Sequence, residues 1–453
     1  MKKENWRTFF EGKKITMMGL GLLGRGINVA KFLAEHGAIL TITDLKTENR
    51  LASSLAELKQ YKKQITYVLG EHRLEDFRDR DLIIKAAGVP LDTPYIEEAH
   101  KNGVPVEMDA SLFTKLAPKG VMVVGITGTR GKSTTTHLIY HILEKAGKNA
   151  FLGGNVRGLA TLPLLEKVKS GDYVVMELDS WQLQGFGEAG ISPHVSVFTN
   201  LMVDHMNYYK NDMERYLADK ANIFLFQNPG NTLVTGAEIG EKIKEKYGEK
   251  MKGKLVEIQA ADFPPDWKLS LLGEHNRVNA ALAIATGRAL GIAETDIKEA
   301  VESFEAVEGR LEYLGEKNGV KIYNDNNATT ADATVVGLTA VASDKNVVLI
   351  MGGADKGLDM SHLVTAIGEY CKAVVLLFGT GTEKIKGQVK AIPAIKVEEK
   401  ERLEECIAAA ISLAKKGDVV LFSPALASFS KYFENEYERN DLFVKEVRKW
   451  LES

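Results

Sequence analysis

The chain has 453 residues and a formal net charge of −3, and 45% of its residues are hydrophobic while 26% are charged. These values are typical of a globular protein and exclude the strong charge of a nucleic-acid or membrane-surface binder, so we expect no nucleic-acid partner. No signal-peptide core or run of about 18 apolar residues occurs, and two cysteines, Cys371 and Cys406, are too few for a disulfide framework, so we expect a cytoplasmic protein without membrane insertion.

The first part of the chain alternates predicted strands and helices. Residues 14–21 indicate a strand that enters a turn, residues 25–36 a helix that ends near Gly37, and residues 38–44 a second strand. A further apolar strand covers residues 81–88. This alternation is typical of a parallel sheet.

A glycine pattern, G-x-G-x-x-G, follows the first strand. It is formed by Gly19, Gly21 and Gly24, and Asp44 lies twenty residues after Gly24. The pattern allows a diphosphate to lie on a helix N-terminus while the carboxylate of Asp44 accepts a hydrogen bond from a hydroxyl or an imide N–H of the ligand. A tight structural turn is the alternative. A nicotinamide site is disfavoured because a second phosphate-binding motif occurs downstream.

That second motif is the most informative one in the chain. An apolar strand over residues 121–126 leads into a glycine-rich turn, and Gly131, Lys132 and Ser133 then open a helical stretch. Backbone N–H groups, the lysine charge and the serine hydroxyl together suit a nucleotide phosphate and its Mg²⁺. Ile126 stands where the common pattern has its first glycine, so the loop is a variant of that pattern. A glycine-rich turn before an ordinary helix is the alternative.

Polar residues follow the next two predicted strands. Residues 172–178 contain Glu177 near their end, and Asp204 and His205 follow residues 194–201. Ligands collect at the carboxyl ends of parallel strands, so these side chains are expected to face the same nucleotide as the loop. Carboxylate and hydroxyl oxygens suit Mg²⁺. A structural histidine is the alternative for His205.

Four further residues are ambiguous from sequence alone. Lys220 lies on a predicted helix, and the sequence alone favours a solvent-exposed side chain there. Asn276 and Asn279 share one helix face, where two amides can contact a purine edge or bond locally. Arg310 stands near a domain junction, where a surface role is the default.

A third unit is predicted to begin near Gly309. Asp325 ends its first strand and precedes a polar turn. The predicted strands of this unit cover residues 319–325, 346–353, 373–379 and 418–423.

Taken in chain order, the motifs resemble those of the ATP-dependent Mur ligases, which build the cell-wall peptide. The matching segments are GLGLLGRG, TGTRGKSTTT, GGNVRG, MELDSWQL, TNLMVDHMN, GEHNRVNA, EGRLE, YNDNNATT, MGGADKG and SPALAS. Folylpolyglutamate synthetases share the phosphate loop but usually begin with the ATPase domain, whereas about 115 residues precede it here. The resemblance therefore favours the Mur type.

The resemblance implies an α/β protein with three domains, each a mainly parallel sheet with helices. These are a Rossmann-like UDP-substrate-binding domain over residues 1–115, a central P-loop ATP-binding domain over 116–306 and a Rossmann-like amino-acid-binding domain over 307–453. The implied protein is a monomer that acts on small molecules.

The implied activity is an ATP-dependent amide-bond ligase of peptidoglycan precursor synthesis. It would add glutamate, with the D-isomer expected, to UDP-N-acetylmuramoyl-L-alanine through an acyl phosphate, using ATP and Mg²⁺. Three alternatives stay open: an L-glutamate-adding variant, a folylpolyglutamate-type ligase and a non-catalytic nucleotide-binding protein.

The resemblance also assigns site residues. Those with catalytic roles are Lys132, Glu177, His205 and Lys220. Those that contact ATP are Thr127, Gly128, Thr129, Gly131, Lys132, Ser133, Thr134, Asn276, Asn279, Arg310 and Asp325. Those that contact the UDP substrate are Gly21, Leu22, Leu23, Asp44, Gly88, Asn155 and His205. Those that contact the amino acid are Thr329, Lys356 and Ser428. The implied metal ligands are Ser133, Glu177, His205 and Lys220, the last as a carbamate.

The chain departs from the usual family pattern at three site positions. Arg130 stands where Asn is usual, Asp179 where Ser is usual, and Asn327 where Lys is usual. The first two add charge near the phosphate loop, and the third removes a lysine beside the amino-acid pocket. The handedness of the glutamate therefore stays open.

Overall fold

The computed structural model of the protein describes residues 5–22, 24–429 and 432–453. The chain forms two compact units: Met1–Trp267 with Val278–Val301, and Lys268–Arg277 with Glu302–Ser453. No helix in the described ranges is long and apolar enough to cross a membrane.

The first unit contains two sheets. The strands of the first sheet are β1 (Lys14–Met18), β2 (Ile39–Asp44), β3 (Ile65–Leu69), β4 (Leu82–Lys85) and β5 (Val106–Glu107). They lie in the order β3-β2-β1-β4-β5, and every pair is parallel. The accompanying helices are α1 (Trp6–Phe9), α2 (Arg25–Glu35), α3 (Glu48–Glu57), α4 (Pro94–Lys101) and α5 (Asp109–Leu116), with 3₁₀ turns at Lys59–Tyr61 and Leu74–Phe77.

The second sheet of this unit is also parallel. Its strands are β6 (Met122–Thr127), β7 (Ala150–Gly154), β8 (Tyr173–Glu177), β9 (Val195–Phe198), β10 (Thr232–Gly236) and β11 (Lys254–Ile258). They lie in the order β11-β10-β9-β6-β8-β7. The helices are α6 (Lys132–Lys145), α7 (Ser180–Ala189), α8 (Met206–Tyr209), α9 (Met213–Ala221), α10 (Ala237–Tyr247), α11 (Glu274–Ala289) and α12 (Glu294–Ser303), with 3₁₀ turns at Leu162–Glu166, Gly248–Lys250 and Ala260–Asp262. The start of α11, up to Arg277, and the end of α12, from Glu302, belong to the second unit.

The register of the second sheet aligns the ends of its central strands. Ile126 of β6 pairs with Glu177 of β8, and Thr127 pairs with Phe198 of β9. The phosphate loop, Glu177 and the segment that leads to His205 therefore leave the sheet side by side. These strands are buried over nearly their whole length. Parallel strands covered on both faces have mostly apolar sequences, as these do.

The second unit contains a mixed sheet. Its strands are β12 (Glu312–Lys317), β13 (Val320–Asn324), β14 (Val347–Gly352), β15 (Cys371–Leu377), β16 (Lys396–Lys400) and β17 (Val419–Phe422), in the order β12-β13-β17-β14-β15-β16. The helices are α13 (Ala331–Val341), α14 (Ser361–Tyr370), α15 (Thr380–Lys390), α16 (Leu403–Leu413) and α17 (Glu436–Glu452). Only the β12–β13 pair among these strands is antiparallel. The predicted α/β class with mainly parallel sheets is confirmed.

Candidate functional site

The phosphate loop joins the end of β6 to the start of α6. Gly128 and Gly131 have φ angles of +144° and +81°, which side-chain-bearing residues rarely adopt. A Cβ at Gly128 would lie 1.9 Å from Thr199 Oγ1, and a Cβ at Gly131 would lie 2.2 Å from Asn279 Oδ1. Both glycines are therefore required by conformation and by space, and buried Asn279 lies directly against the loop.

Lys132 is the first residue of α6, and its side chain folds back over the loop. Its Nζ donates to the carbonyls of Gly128 and Thr129, each at 3.1 Å. The positive end of the helix dipole adds to this charge, so the loop attracts anions. Thr134, on the same first turn, is buried.

Ser133 and Glu177 form the most direct pair of predicted site residues. Both are buried, and the Ser133 hydroxyl donates to Glu177 Oε2 at 2.6 Å. A hydroxyl and a carboxylate are hard oxygen ligands that suit Mg²⁺. No group of three or more His, Cys, Asp or Glu side chains in the described chain could hold a metal alone. A Mg²⁺ ion would accordingly take its other ligands from phosphate oxygens and water, as it commonly does.

Lys220 lies beneath the same loop. Its side chain is only 1% exposed, and Nζ donates to the Gly128 carbonyl at 2.9 Å and to Thr127 Oγ1 at 3.3 Å. Burial, with Lys132 as a second cause, holds the pKa of its amine well below the usual value. The expectation of a solvated lysine is wrong, because α9 turns this residue inward.

His205 follows β9 in a left-handed conformation, with a φ angle of +56°. Its backbone N–H donates to Asp204 Oδ1 at 2.9 Å, and its ring centroid is 4.8 Å from that of Trp181. Burial lowers the pKa of the imidazole, while nearby Asp204 raises it. Asp204 Oδ2 in turn accepts from Arg130 Nη1 at 3.0 Å. The structure thus brings His205 together with the phosphate loop.

The glycine pattern of the first sheet is shaped by Asp44. Asp44 Oδ2 accepts the N–H groups of Leu20 at 2.9 Å and Gly21 at 3.1 Å, while Oδ1 accepts that of Lys46 at 2.9 Å. The carboxylate therefore fixes the turn that contains Gly21 and Leu22. Leu23, another predicted UDP contact, lies outside the described residues.

Lys85, in the first sheet, is a residue that the sequence analysis missed. It ends β4, beside Met18 of β1, and is 2% exposed. Its Nζ donates to the Val89 carbonyl at 2.7 Å, beneath the turn that carries Gly88. Burial lowers the pKa of Lys85 to about 7. A lysine inside an apolar strand was the signal available.

Asn155 connects the two sheets of the first unit. Its N–H donates to the Glu177 carbonyl at 2.6 Å, and its Oδ1 accepts from Arg25 Nη2 at 3.2 Å. Arg25 also donates to the Leu159 carbonyl at 3.2 Å. The arginine that follows the glycine pattern thereby bonds to the segment after β7, a contact that the sequence analysis did not predict.

The remaining predicted ATP contacts lie in the second unit. Buried Asn276 donates to the Leu272 carbonyl at 2.8 Å, which is local bonding of its amide. Asp325 accepts from the Ser423 hydroxyl at 3.0 Å and from the Leu311 N–H at 3.1 Å. Burial raises the pKa of Asp325 to about 7, although Arg310 lowers it.

The predicted amino-acid contacts also lie in the second unit. Lys356 Nζ donates to Thr329 Oγ1 at 2.9 Å. Ser428 is buried and follows Ala427, which pairs with Ala354 two residues before Lys356. The three predicted residues are consequently carried by adjoining segments. Asn327 donates to the Glu308 carbonyl at 3.3 Å.

Comparisons with known proteins identify the family of the chain. Three domain families match: the Mur ligase MurD-like N-terminal domain over residues 13–107, the Mur ligase middle domain over 126–287 and the Mur ligase glutamate ligase domain over 309–426. A UDP-N-acetylmuramoylalanine–D-glutamate ligase of Roseiflexus sp. (strain RS-1) is 34% identical, covering 96% of this chain and 98% of its own. A ligase of the same name from Borreliella afzelii (strain PKo) is 34% identical, covering 95% and 96%.

A solved structure shares the fold. The UDP-N-acetylmuramate-alanine ligase MurC from Thermotoga maritima matches with a TM-score of 0.59 and 22% identity, covering 97% of this chain and 100% of that one. The domain matches in their order, together with relatives similar over nearly the whole length, lead to one conclusion: the chain belongs to the Mur ligase family.

Proposed function

We propose that the protein is an ATP-dependent ligase that joins D-glutamate to UDP-N-acetylmuramoyl-L-alanine in peptidoglycan precursor synthesis. The observation that carries the proposal is the convergence of Lys132, Glu177 and Lys220 on one phosphate loop. The printed names of the relatives support the choice of acceptor and amino acid.

The phosphate loop supplies the charge that an ATP-dependent reaction needs. Lys132 and the N-terminus of α6 would bind the phosphates of ATP. Ser133 and Glu177 would hold one Mg²⁺, His205 would help to hold a second, and a carbamylated Lys220 would supply a further anionic oxygen ligand. Bound there, Mg²⁺ would neutralise negative charge on the phosphate oxygens. Asn279 and Asn276 are the proposed adenine-side contacts, and Arg310 and Asp325 the proposed contacts from the C-terminal domain.

The proposed reaction has two steps. A carboxylate oxygen of the acceptor attacks the γ-phosphorus of ATP, the bond to the bridging oxygen breaks, and ADP leaves. The amine of glutamate then attacks the acyl carbon, loses a proton and expels phosphate. Holding the reactants in one site can supply roughly 7–11 kcal/mol of the barrier reduction. The chain's part is therefore mainly positioning and charge stabilisation.

Recognition of the two other substrates falls to separate segments. We assign the UDP moiety to the turn shaped by Asp44 and to the turn at Gly88, with Asn155 on the acceptor side. Lys356, Thr329 and Ser428 are the proposed contacts to glutamate. A lysine ammonium and two hydroxyls suit the carboxylates of that amino acid.

We also propose three functional domains, over residues 1–115, 116–306 and 307–453, one for each sheet. A monomer is proposed, because the resemblance to the Mur ligases implies one. Free, buried Cys371 and Cys406 agree with the proposed cytoplasmic location.

An assay of phosphate release tests the function. With ATP and Mg²⁺, phosphate should be released only when UDP-N-acetylmuramoyl-L-alanine and D-glutamate are both present, because each is a reactant. L-glutamate and a folate acceptor, tested in parallel, serve as controls. Preference for L-glutamate would favour the L-adding variant, and dependence on folate would favour the folylpolyglutamate type. ATP binding without turnover on any acceptor would reject a ligase.

A further inference from the structure

Arg130 is bonded through its backbone to the segment that follows β9. Its N–H donates to Asn200 Oδ1 at 2.9 Å, and its carbonyl accepts from the Thr199 hydroxyl at 2.5 Å. Arg130 itself belongs to the phosphate loop, directly before Gly131. Thr129 adds further bonds, since its N–H donates to the Asn200 carbonyl at 3.0 Å and its hydroxyl accepts the Met202 N–H at 2.9 Å. The loop and the segment after β9 are therefore joined through the backbone, and the side chain of Arg130 is left to make a separate connection.

The side chain of Arg130 extends this connection to His205. Nη1 donates to Asp204 Oδ2 at 3.0 Å, and Asp204 Oδ1 accepts the N–H of His205 at 2.9 Å. The bond to Asp204 constrains a left-handed φ angle of +56° at His205, which is unfavourable for a residue other than glycine. One carboxylate thus holds the loop arginine with one oxygen and the histidine turn with the other.

The ion pair between Arg130 and Asp204 is only partly exposed to solvent. The side chains of Arg130 and Asp204 are 37% and 25% exposed, so the contact is screened less than a fully solvated ion pair. The backbone bonds fix the base of the arginine, which limits its freedom to leave Asp204. An event that fixes the conformation of the phosphate loop is therefore expected to act on the turn at His205 through the Arg130–Asp204 pair.

We propose that Arg130 is a positioning residue that couples occupancy of the ATP site to binding of the UDP-linked acceptor, through Asp204 and His205. The inference rests on the proposed function of these two sites. Phosphates on the loop order it, and the connection through Arg130 orders the His205 turn with it. The acceptor then binds to a segment that is already ordered, so its affinity rises. Because coupling is reciprocal, the acceptor tightens nucleotide binding by the same factor.

Calorimetry of the full chain tests the proposal. The affinity for UDP-N-acetylmuramoyl-L-alanine is measured with and without Mg²⁺ and a non-hydrolysable ATP analogue. In the natural protein, the analogue should tighten acceptor binding by about fivefold or more, within the usual range of coupling between sites. In Arg130→Gln, the gain should fall below about twofold, because the uncharged side chain no longer bonds as strongly to Asp204.

The matched control is Arg288→Gln. Arg288 of α11 also pairs with a carboxylate, with Nε 3.0 Å from Glu294 Oε2, but that pair is more exposed and has no described bond to the loop. Its coupling should equal that of the natural protein.

Asp204→Asn is a second test variant. It weakens the pair with Arg130, while its amide oxygen still accepts the His205 N–H. It should lose the coupling as Arg130→Gln does, and the double variant should lose no more.

The outcomes separate this inference from the proposed function. Unchanged coupling in a folded Arg130→Gln or Asp204→Asn protein would overturn the inference alone. Weaker acceptor binding in the presence of the analogue, in the natural protein, would also overturn it. Absence of acceptor binding to the natural protein would overturn the proposed function and this inference together.

Discussion

Replacing Lys132 with alanine should reduce turnover by about a thousandfold or more while the fold survives. The lysine lies on the phosphate loop, and its two described bonds go to loop carbonyls. Removing a charge that stabilises a transferring phosphoryl group usually has an effect of this order. Phosphate release measures the loss, and thermal unfolding followed by circular dichroism measures the fold.

Lys145→Ala is the matched control for Lys132→Ala. Lys145 is on the last turn of the same helix, where its Nζ is 3.3 Å from Glu299 Oε1 in a solvent-exposed pair. Turnover of this variant should stay within about twofold of the natural value, because such exposed pairs contribute little. Full activity of Lys132→Ala would mean that the loop does not hold the reacting phosphates.

Lys220→Ala should lose most activity, by roughly a hundredfold or more, and regain part of it when formate or acetate is added. The buried amine has a pKa well below its usual value, so its neutral form is available to react with carbon dioxide. In that reaction a nitrogen–carbon bond forms and a proton leaves, which converts the amine to an anionic carbamate. A short carboxylate can occupy the space left by the side chain and replace this anion.

The rescue of Lys220→Ala is measured as turnover against carboxylate concentration. Lys242→Ala, at an exposed lysine of α10, controls for non-specific effects of added salt and should show no stimulation. A melting temperature close to that of the natural protein would show that lost activity is not lost folding. If Lys220→Ala were fully active without added carboxylate, the carbamate assignment would be wrong.

The centre of the site could be predicted because its residues follow recognisable apolar strands. The carboxyl ends of parallel strands meet at one edge. Glu177 ends β8, and Ser133 follows the loop that leaves the neighbouring strand β6. Their hydroxyl–carboxylate contact at 2.6 Å follows from that register. The burial of Lys220 was harder to predict from the sequence, because it depends on packing. Its spacing from Tyr216 and Leu217, which face the core from the same side of α9, was the available signal.

Contacts between distant segments could not be predicted from local pattern. The spacing of Asp44 predicted a carboxylate at this turn, but its bonds to the N–H groups of Leu20 and Gly21 depend on the path of the turn. The bond between Arg25 and Asn155 depends on how the first two sheets pack. The antiparallel hairpin of β12 and β13 was also missed, because β12 is mostly half-exposed and lacks an apolar run.

Transfer of labelled oxygen is the most direct test of the account. The acceptor is UDP-N-acetylmuramoyl-L-alanine with oxygen-18 in its alanine carboxylate, supplied with ATP, Mg²⁺ and D-glutamate. If ATP activates that carboxylate as an acyl phosphate, each phosphate released should contain a labelled oxygen from the acceptor. Turnover that releases only unlabelled phosphate would contradict the account, because the carboxylate would then never have been joined to the phosphoryl group.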